Sequence, residues 1–198
     1  MTLKKRNIII IEGPQGVGKS TLANFLRDNL PSTNLYRLSG INDKTKTGKE
    51  KNEIMYLELI DYMKKLEKTE LNMVFDRFFF SEQVYSKLGY KEYLFDDVYE
   101  KLLNKFYELN YNIYFVVLYL KNEKLYEKRL KRVHHNYKEF SLKSSVDQQK
   151  TYLELADNID KSKVKVIKVA MDDYKDGYDK IIKDIPLLKE SNIKYETI

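Results

Sequence analysis

The octapeptide that carries the most structural information is Gly13-Pro14-Gln15-Gly16-Val17-Gly18-Lys19-Ser20. It follows four consecutive isoleucines at positions 8–11 and leads into an apolar pattern at helical spacing that begins at Thr21. The spacing G-x-x-x-x-G-K-S, set between a strand and a helix, is that of a loop whose backbone N–H groups surround phosphate oxygens. We therefore interpret residues 13–20 as a phosphate-binding loop rather than as a glycine turn without a ligand.

Residue types within this loop indicate what it binds. Glycine lets the backbone curl with its N–H groups pointing inward, and the following helix adds the positive end of its dipole. Lys19 is long enough to reach terminal phosphates, and the Ser20 hydroxyl is placed to ligate Mg²⁺. The combination predicts a nucleoside triphosphate as the ligand and magnesium as the cofactor.

Length and composition limit the classes of protein to which the chain can belong. The chain has 198 residues, which suits one α/β domain, 1–198, with a sizeable core. It has no cysteine, as is typical of the reducing cytosol, and we find neither a signal-peptide pattern nor an apolar segment long enough to cross a bilayer. Lysine and arginine number 36 against 30 aspartates and glutamates, a net charge of +6 that is interspersed along the chain. We therefore expect a cytoplasmic protein that binds a polyanionic ligand, with no membrane partner and no nucleic-acid partner.

Apolar segments and helical patterns alternate about five times along the chain. The predicted strands cover residues 8–12, 34–39, 73–75, 112–120 and 164–169. The predicted helices cover residues 20–30, 51–68, 81–87, 92–107, 123–133, 147–157 and 178–188. Segment 41–49 is predicted to be a mobile loop and segment 191–198 a loose tail. This alternation is typical of an α/β fold with a central parallel five-stranded sheet and helices on both faces.

Asp76 and Arg77 come directly after the predicted strand 73–75. Since ligands bind at the carboxyl ends of parallel strands, this pair is expected near the phosphate loop. A carboxylate there can hold a magnesium-bound water or accept a proton from an attacking oxygen. The guanidinium can bind a phosphate through two hydrogen bonds. A purely structural ion pair is the alternative interpretation.

Arg129 and Arg132 lie three residues apart in the predicted helix 123–133 and so project from the same face. A polar, basic stretch follows them. We interpret approximately residues 129–145 as a basic lid that closes over the reacting phosphate, where guanidinium groups stabilise the spread negative charge. A solvated, lysine-rich helix end is the alternative.

Four further side chains are candidates for the second substrate. Tyr56, Tyr85 and Tyr137 can each stack on a nucleobase, although each can equally pack in the core. Arg37, near the end of the short strand 34–39, can meet a second phosphate or form a salt bridge at the surface.

The segment Asp76-Arg77-Phe78-Phe79-Phe80-Ser81-Glu82-Gln83-Val84-Tyr85 resembles the D-R-Y-x-x-S-x-x-A-[YF] segment of thymidylate kinases, and the phosphate loop lies at the family's distance upstream. The similarity covers roughly residues 8–157 and extends more loosely to deoxynucleoside kinases. It implies a three-layer P-loop kinase fold and a homodimer. It also implies magnesium-dependent transfer of a phosphoryl group from ATP to a pyrimidine deoxynucleoside monophosphate such as dTMP or a dUMP-like nucleotide.

The resemblance implies roles for individual residues as well. Arg77 would hold the acceptor phosphate, Asp76 would support the metal or the sugar, and Arg129 would lie over the donor adenine. Tyr85 would line the acceptor pocket, and Tyr137 would face the acceptor sugar and base. The predicted catalytic residues are Lys19, Asp76, Arg77, Arg129 and Arg132, and the predicted metal ligands are Ser20 and Asp76. The predicted ATP-binding residues are Gly13, Pro14, Gln15, Gly16, Val17, Gly18, Lys19, Ser20, Thr21 and Arg129. The predicted acceptor-binding residues are Arg37, Tyr56, Arg77, Ser81, Tyr85 and Tyr137.

This chain departs from the thymidylate kinase pattern in the acceptor region. The family's R-E-P-G after the second strand is matched only at Arg37 and Gly40. The long predicted helix 51–68 lacks the arginine that the family often places against the base. The phosphate loop has Gln15 and Gly16 where the family often has an acidic residue. These differences leave the acceptor base open.

Three alternatives stand beside a deoxynucleoside monophosphate kinase. A deoxynucleoside kinase would phosphorylate the 5′-hydroxyl of a free deoxynucleoside, whereas Arg37 and Arg77 favour an acceptor that carries its own phosphate. A GTP-binding switch would carry an N-K-x-D guanine reader, which does not follow Leu118 or Val169. A structural or nucleic-acid-binding module would bind its partner without nucleotide turnover.

Overall fold

Strand β1 (Asn7–Glu12) lies at the centre of a five-stranded sheet and is buried along its whole length. The computed structural model describes residues 6–131 and 141–189. The strand order is β2-β3-β1-β4-β5, and every pairing is parallel. The other strands are β2 (Thr33–Arg37), β3 (Asn72–Asp76), β4 (Asn112–Tyr119) and β5 (Val164–Ala170). A central parallel strand is covered on both faces, which explains why positions 8–11 are continuously apolar rather than alternating.

Helices cover both faces of the sheet, which confirms the predicted fold class. Ile8 and Ile10 of β1 pack in one hydrophobic cluster, and Ile9 and Ile11 pack in the other. The helices are α1 (Lys19–Asn29), α2 (Lys46–Lys65, followed by a 3-10 turn at Leu66–Lys68), α3 (Phe79–Lys87), α4 (Asp96–Tyr107), α5 (Leu125–Leu130), α6 (Leu142–Asn158), α7 (Tyr174–Asp184) and α8 (Pro186–Lys189). Helices α2, α3, α4 and α6 bury residues in the first cluster, and α1, α5, α7 and α8 in the second. Among the described residues, no helix has the length and apolar character needed to cross a membrane.

The prediction of a loop over the whole of segment 41–49 was wrong, because α2 begins at Lys46. The turn before it is held by the Asp43 carboxylate, which accepts hydrogen bonds from the backbone N–H and the hydroxyl of Thr45 at 3.0 and 2.6 Å. Gly48 lets the first helical turn approach this loop, since a Cβ there would lie 2.1 Å from the Asp43 carbonyl oxygen. Contacts of this kind cannot be predicted from the spacing of apolar residues.

Capping residues explain two of the other shifted helix starts. Helix α6 begins at Leu142 rather than 147 because Ser141 and Ser144 form a reciprocal capping box. Helix α7 begins at Tyr174 rather than 178, where the Asp173 carboxylate accepts hydrogen bonds from two backbone N–H groups. The last residues of the predicted lid, 142–145, therefore belong to α6. The remaining corrections are starts of α3 at Phe79 rather than 81, of α4 at Asp96 rather than 92 and of α5 at Leu125 rather than 123, and an end of β2 at Arg37 rather than 39. Helix α5 ends at Leu130, and residues 132–133 of the predicted helix lie outside the described residues.

The carboxyl ends of β1, β2 and β3 lie side by side. Ile11 in β1 is paired with Asp76 in β3, which is paired in turn with Arg37 in β2. Gly13 carries the phosphate loop closely past β4, since a Cβ at this position would lie 2.5 Å from the Leu118 carbonyl oxygen. The topology therefore brings the phosphate loop and the segment after β3 to the same edge of the sheet.

Three consecutive phenylalanines anchor the amino-terminal end of α3. The rings of Phe78, Phe79 and Phe80 are fully buried. Their centroids lie 5.7, 6.0 and 6.4 Å from the ring of Phe106 in α4, and Phe80 lies 4.4 Å from Phe115 in β4. Aromatic pairs at such separations stabilise a core beyond the area that they bury.

Replacing Phe106 with alanine is expected to lower the free energy of unfolding by about 3–5 kcal/mol, because the change removes a fully buried ring and leaves a cavity. Leu94→Ala is the control, since the Leu94 side chain is 69% exposed and its loss has little effect on packing. Urea unfolding followed by circular dichroism measures both variants. Equal losses of stability would contradict this description of the core.

Candidate active site

The phosphate loop has the backbone conformation that its glycines predict. Gly16 and Gly18 have φ of 79° and 106°, in the left-handed region that favours glycine. Helix α1 begins at Lys19, so its amino terminus faces the loop. The Lys19 ammonium donates a 2.7 Å hydrogen bond to the Pro14 carbonyl oxygen. The cation that is predicted to meet phosphate therefore lies within the loop.

The two predicted metal ligands, Ser20 and Asp76, are in direct contact. The Ser20 hydroxyl donates a 2.6 Å hydrogen bond to Oδ2 of Asp76. Asp76 is buried at the end of β3, beside the strand that leads into the loop. A hydroxyl and a carboxylate oxygen are the kind of hard ligand that Mg²⁺ takes together with water and phosphate oxygens. The residues present therefore fit a magnesium ion.

The guanidinium of Arg77 is held by neutral partners. It donates hydrogen bonds to the hydroxyls of Ser81, Tyr85 and Tyr152 at 3.2, 2.5 and 3.4 Å. It also donates to the side-chain oxygen of Gln15 at 3.3 Å. Within residues 6–131 and 141–189, it forms no ion pair with a carboxylate. A cation oriented in this way, without a paired anion, is suited to bind an anionic ligand.

Glu12, the last residue of β1, is a site residue that sequence reasoning missed. Its carboxylate is fully buried and accepts hydrogen bonds from the Phe78 backbone N–H at 2.8 Å and the Ser81 hydroxyl at 2.7 Å. Burial raises the pKa of Glu12 to about 7, although the charge of Arg77 and both hydrogen bonds act to lower it. The sequence feature that could have identified Glu12 is an acidic residue at the end of an apolar strand, directly before the phosphate loop.

Four ionisable side chains, Glu12, Lys19, Asp76 and Arg77, share this end of the sheet. Burial and the neighbouring Arg77 guanidinium lower the pKa of Lys19 well below its usual value, whereas the carboxylates of Asp76 and Glu12 oppose that change. A bound polyphosphate would add negative charge beside the two cations and stabilise their charged forms. The electrostatics of the site therefore favour an anionic ligand.

Two cavities meet at Arg77. The first has a volume of about 550 Å³ and the second a volume of about 360 Å³. Leu38, Ser39 and Arg77 line both of them. The first is also lined by Gln15, Gly16, Gly18, Lys19, Ser20, Thr21, Arg37, Asp76, Arg129 and Tyr174. The second is also lined by Gly40, Ile41, Asn42, Tyr56, Ser81, Glu82, Tyr85 and Lys91.

The first cavity brings two predicted arginines to the phosphate loop. Arg37 is exposed, and its guanidinium donates a hydrogen bond to the side-chain oxygen of Asn24. The Arg129 guanidinium donates a 2.6 Å hydrogen bond to the Met171 carbonyl oxygen and lies 4.7 Å from the ring centroid of Tyr174. Tyr174 was missed by sequence reasoning, since nothing in the local pattern connects the start of α7 with the loop.

The second cavity contains Ser81 and Tyr85, two predicted acceptor-binding residues. Tyr56 also reaches its wall, but the ring is buried and packs against Phe78 and Phe79 with centroids 5.5 and 6.1 Å apart. Most of the Tyr56 ring therefore packs in the core, which was the alternative interpretation of this residue.

Three residues of the phosphate loop, among those that the structure describes, do not line either cavity. Gly13, Pro14 and Val17 belong to the loop but do not line the first cavity, and the Val17 side chain is buried in the hydrophobic core. Arg132 and Tyr137 lie outside the described residues, as does the predicted tail.

The wall of the second cavity carries an ion pair that sequence reasoning also missed. The Lys91 ammonium lies 3.0 Å from Oε2 of Glu82, which also accepts hydrogen bonds from Asn52 at 3.4 Å and Tyr93 at 3.2 Å. Gly40 leaves room for the Glu82 carboxylate, since a Cβ there would lie 2.2 Å from Oε1. The pair places a hydrogen-bond acceptor and a donor side by side in the cavity wall.

A parallel sheet of order 2-3-1-4-5, with a phosphate loop after its central strand, has the fold of P-loop kinases. The chain belongs to the family whose model is described as an AAA domain, and this model matches residues 9–152. No curated protein matches the chain.

Solved structures with the same fold include several kinases. The YorR protein of Bacillus subtilis, in complex with phosphorylated GDP, is 24% identical with a TM-score of 0.65, over 92% of this chain and 95% of that one. The thymidylate kinase of Candida albicans is 18% identical with a TM-score of 0.61, over 93% and 94%. The deoxyadenosine kinase of M. mycoides, with dCMP and dCDP bound, is 19% identical with a TM-score of 0.61, over 89% and 97%.

Lys19→Met is expected to weaken the binding of magnesium-ATP at least about tenfold, because charge-assisted hydrogen bonds to phosphate are lost. Lys163→Met, in the exposed turn before β5, is the control that removes a lysine from another surface. Titration with a fluorescent ATP analogue measures binding, and circular dichroism checks that both variants are folded. Unchanged affinity in a folded Lys19→Met protein would contradict the assignment of the loop.

Proposed function

We propose that this protein transfers the terminal phosphoryl group of ATP to a deoxynucleoside monophosphate of the dTMP or dUMP type, forming the diphosphate and ADP. The observation that carries this proposal is the position of Arg77, which lines both cavities and has only neutral hydrogen-bond partners among the described residues. A cation between a phosphate-loop cavity and a second cavity is suited to hold the acceptor phosphate against the donor.

The first cavity suits ATP as the donor. Lys19 and the loop amides face the phosphates. The Arg129 guanidinium lies 4.7 Å from the ring centroid of Tyr174, and this pair presents its surface beside the loop, since a Cβ at Gly18 would lie 3.0 Å from the Tyr174 ring. A purine base can stack on a surface of this kind.

Magnesium is the cofactor that the oxygen atoms of Ser20 and Asp76 fit. When bound, it would neutralise phosphate charge and orient the transferred group. Ser20 and Asp76 would hold it from the protein side, in agreement with their 2.6 Å contact.

Phosphoryl transfer requires the protein to align the reactants and to neutralise charge. Arg77 holds the acceptor phosphate in line with the donor, and Lys19 neutralises the charge that develops on the transferred group. Arg129, which lines the first cavity, also neutralises this charge, and Arg132 is proposed to act with it from the predicted lid.

The second cavity suits the nucleoside part of the acceptor. Tyr85 lines it beside Arg77, and the Glu82 and Lys91 pair lies in the same wall. Thymine and uracil present an N–H donor next to a carbonyl acceptor, which a carboxylate and an ammonium can match. This match is compatible with thymine or uracil, as it is with guanine, in the absence of the arginine that the thymidylate kinase pattern places against the base.

The similar structures support the class of reaction but include both kinds of acceptor. One is a thymidylate kinase and another is a deoxyadenosine kinase. The alternative function is therefore phosphorylation of the 5′-hydroxyl of a free deoxynucleoside. That reaction needs a general base at the hydroxyl. The carboxylates among the described cavity residues are Asp76, bound to Ser20, and Glu82, bound to Lys91, so both are already engaged.

An acceptor panel tests the assignment directly. ADP release is measured with magnesium and ATP, or GTP, against the deoxynucleoside monophosphates, dUMP and the free deoxynucleosides. We expect turnover with ATP that is greatest for dTMP or dUMP. Turnover only with free deoxynucleosides would replace the proposed function by the alternative, and strong preference for GTP would overturn the proposed donor.

Arg77→Ala is expected to lower kcat/KM for the monophosphate acceptor about 10–100-fold, because it removes charge-assisted hydrogen bonds to the acceptor phosphate. Arg37→Ala is expected to have a smaller effect, since Arg37 is exposed. Arg27→Ala, an exposed arginine on α1, is the control. If Arg77→Ala and Arg37→Ala both retain full activity on every deoxynucleoside monophosphate, the proposed acceptor class is wrong.

A further inference from the structure

We infer that Glu12 is a positioning residue for the acceptor phosphate, which it serves by fixing both the backbone and the side chain of Arg77. This inference rests on the proposed function, because it assigns to Arg77 the acceptor phosphate as its ligand. Glu12 is fully buried and lines neither cavity, so any effect on substrate passes through its neighbours.

The backbone of Arg77 has an unusual conformation. Its φ is 73°, which is unfavourable for a residue with a side chain and is maintained only where the surroundings enforce it. The Arg77 N–H donates a 3.1 Å hydrogen bond to the Ile11 carbonyl oxygen, and the next amide, that of Phe78, donates a 2.8 Å hydrogen bond to Oε1 of Glu12. Adjacent residues of β1 therefore hold both sides of the strained position.

Ser81 links the Glu12 carboxylate to the side chain of Arg77. The Ser81 hydroxyl donates its single proton to Oε2 of Glu12 at 2.7 Å. Its oxygen is then left as an acceptor for Arg77, at 3.2 Å from Nη1, and for the hydroxyl of Tyr152 at 2.8 Å. The Glu12 carboxylate thus orients the Ser81 hydroxyl so that its oxygen faces the guanidinium, which Tyr85, Tyr152 and Gln15 also hold.

Burying a carboxylate at this position costs free energy, and the role described above accounts for its presence. A buried acid loses its hydration, and an apolar residue would suit the end of an apolar strand better. The charged groups around Glu12 are Arg77 on the segment after β3 and Lys19 at the start of α1, and the hydroxyls around it belong to Ser81 and Tyr152. Glu12 stabilises the charged forms of both cations and lines neither cavity, so it does not occupy the space that is open to anionic substrates.

Glu12→Gln tests this role with little change of shape. Its side-chain oxygen can still accept the Phe78 N–H, but its amide nitrogen cannot accept the Ser81 proton. We expect the KM for the monophosphate acceptor to rise about tenfold or more, while the KM for ATP changes less than about twofold. Asp160→Asn is the matched control, because Asp160 is a carboxylate that accepts a backbone N–H at 2.9 Å from Ser162, in the turn before β5.

Ser81→Ala provides a second, independent variant. If Glu12 acts through the Ser81 hydroxyl, Ser81→Ala gives the same acceptor-selective loss, and the double variant is little worse than either single variant. A purely structural role would instead lower the melting temperature and raise both KM values together. Should Glu12→Gln fail to fold, Ser81→Ala still tests the link to Arg77.

The outcomes separate this inference from the proposed function. Absence of turnover by the unsubstituted protein on every acceptor would overturn the proposed function and this role together. Normal turnover with an unchanged acceptor KM in folded Glu12→Gln, or in Ser81→Ala, would overturn the role of Glu12 alone. A parallel rise of both KM values would also overturn it.

Discussion

The parallel pairing of β1 with β3 is the constraint on which the rest of the site depends. It places Ile11 beside Asp76, so the phosphate loop that leaves β1 and the turn that leaves β3 emerge at the same edge of the sheet. A shift of register by one residue in this buried pair would move each side chain into the opposite hydrophobic cluster, where it no longer matches its packing neighbours, so the pairing is strongly specified. The phenylalanine cluster at 78–80 then holds the chain that follows Arg77 against α4 and β4. Fold stability and site geometry therefore have a common origin.

Buried charge is the second feature that organises the site. The Arg77 guanidinium lies close enough to lower the pKa of Lys19, while the carboxylates of Glu12 and Asp76, at the ends of β1 and β3, act to raise it. Such a cluster costs free energy in an empty protein and recovers part of it when an anion binds. Because hydrogen bonds orient the cationic groups in advance, little reorganisation is needed for the phosphoryl transfer that we propose.

Sequence reasoning predicted the local parts of this site and missed the parts that depend on long-range packing. Ser20 and Asp76 were both expected at this end of the sheet, because a motif fixes one residue and a strand end fixes the other, and their side chains lie 2.6 Å apart. The pairing of Arg129 with Tyr174 and of Glu82 with Lys91 was not, since these residues come together only when separate elements pack. Helix starts that depend on side-chain caps were likewise misplaced by apolar periodicity.

By itself, the sequence determined the phosphate loop, the alternation of strands and helices, and hence the layered parallel sheet. These features follow from short-range spacing and from the burial of apolar faces, both of which are readable along the chain. Only the tertiary structure decided which buried residues support the site and where the two cavities meet. These decisions depend on burial, on charge pairing and on the strained turn at Arg77. All three are set by neighbours in space, so they cannot be predicted directly from the order of residues along the chain. Glu12 shows the difference most clearly, because its position in the sequence is that of the last residue of a core strand, whereas its contacts belong to the turn after β3.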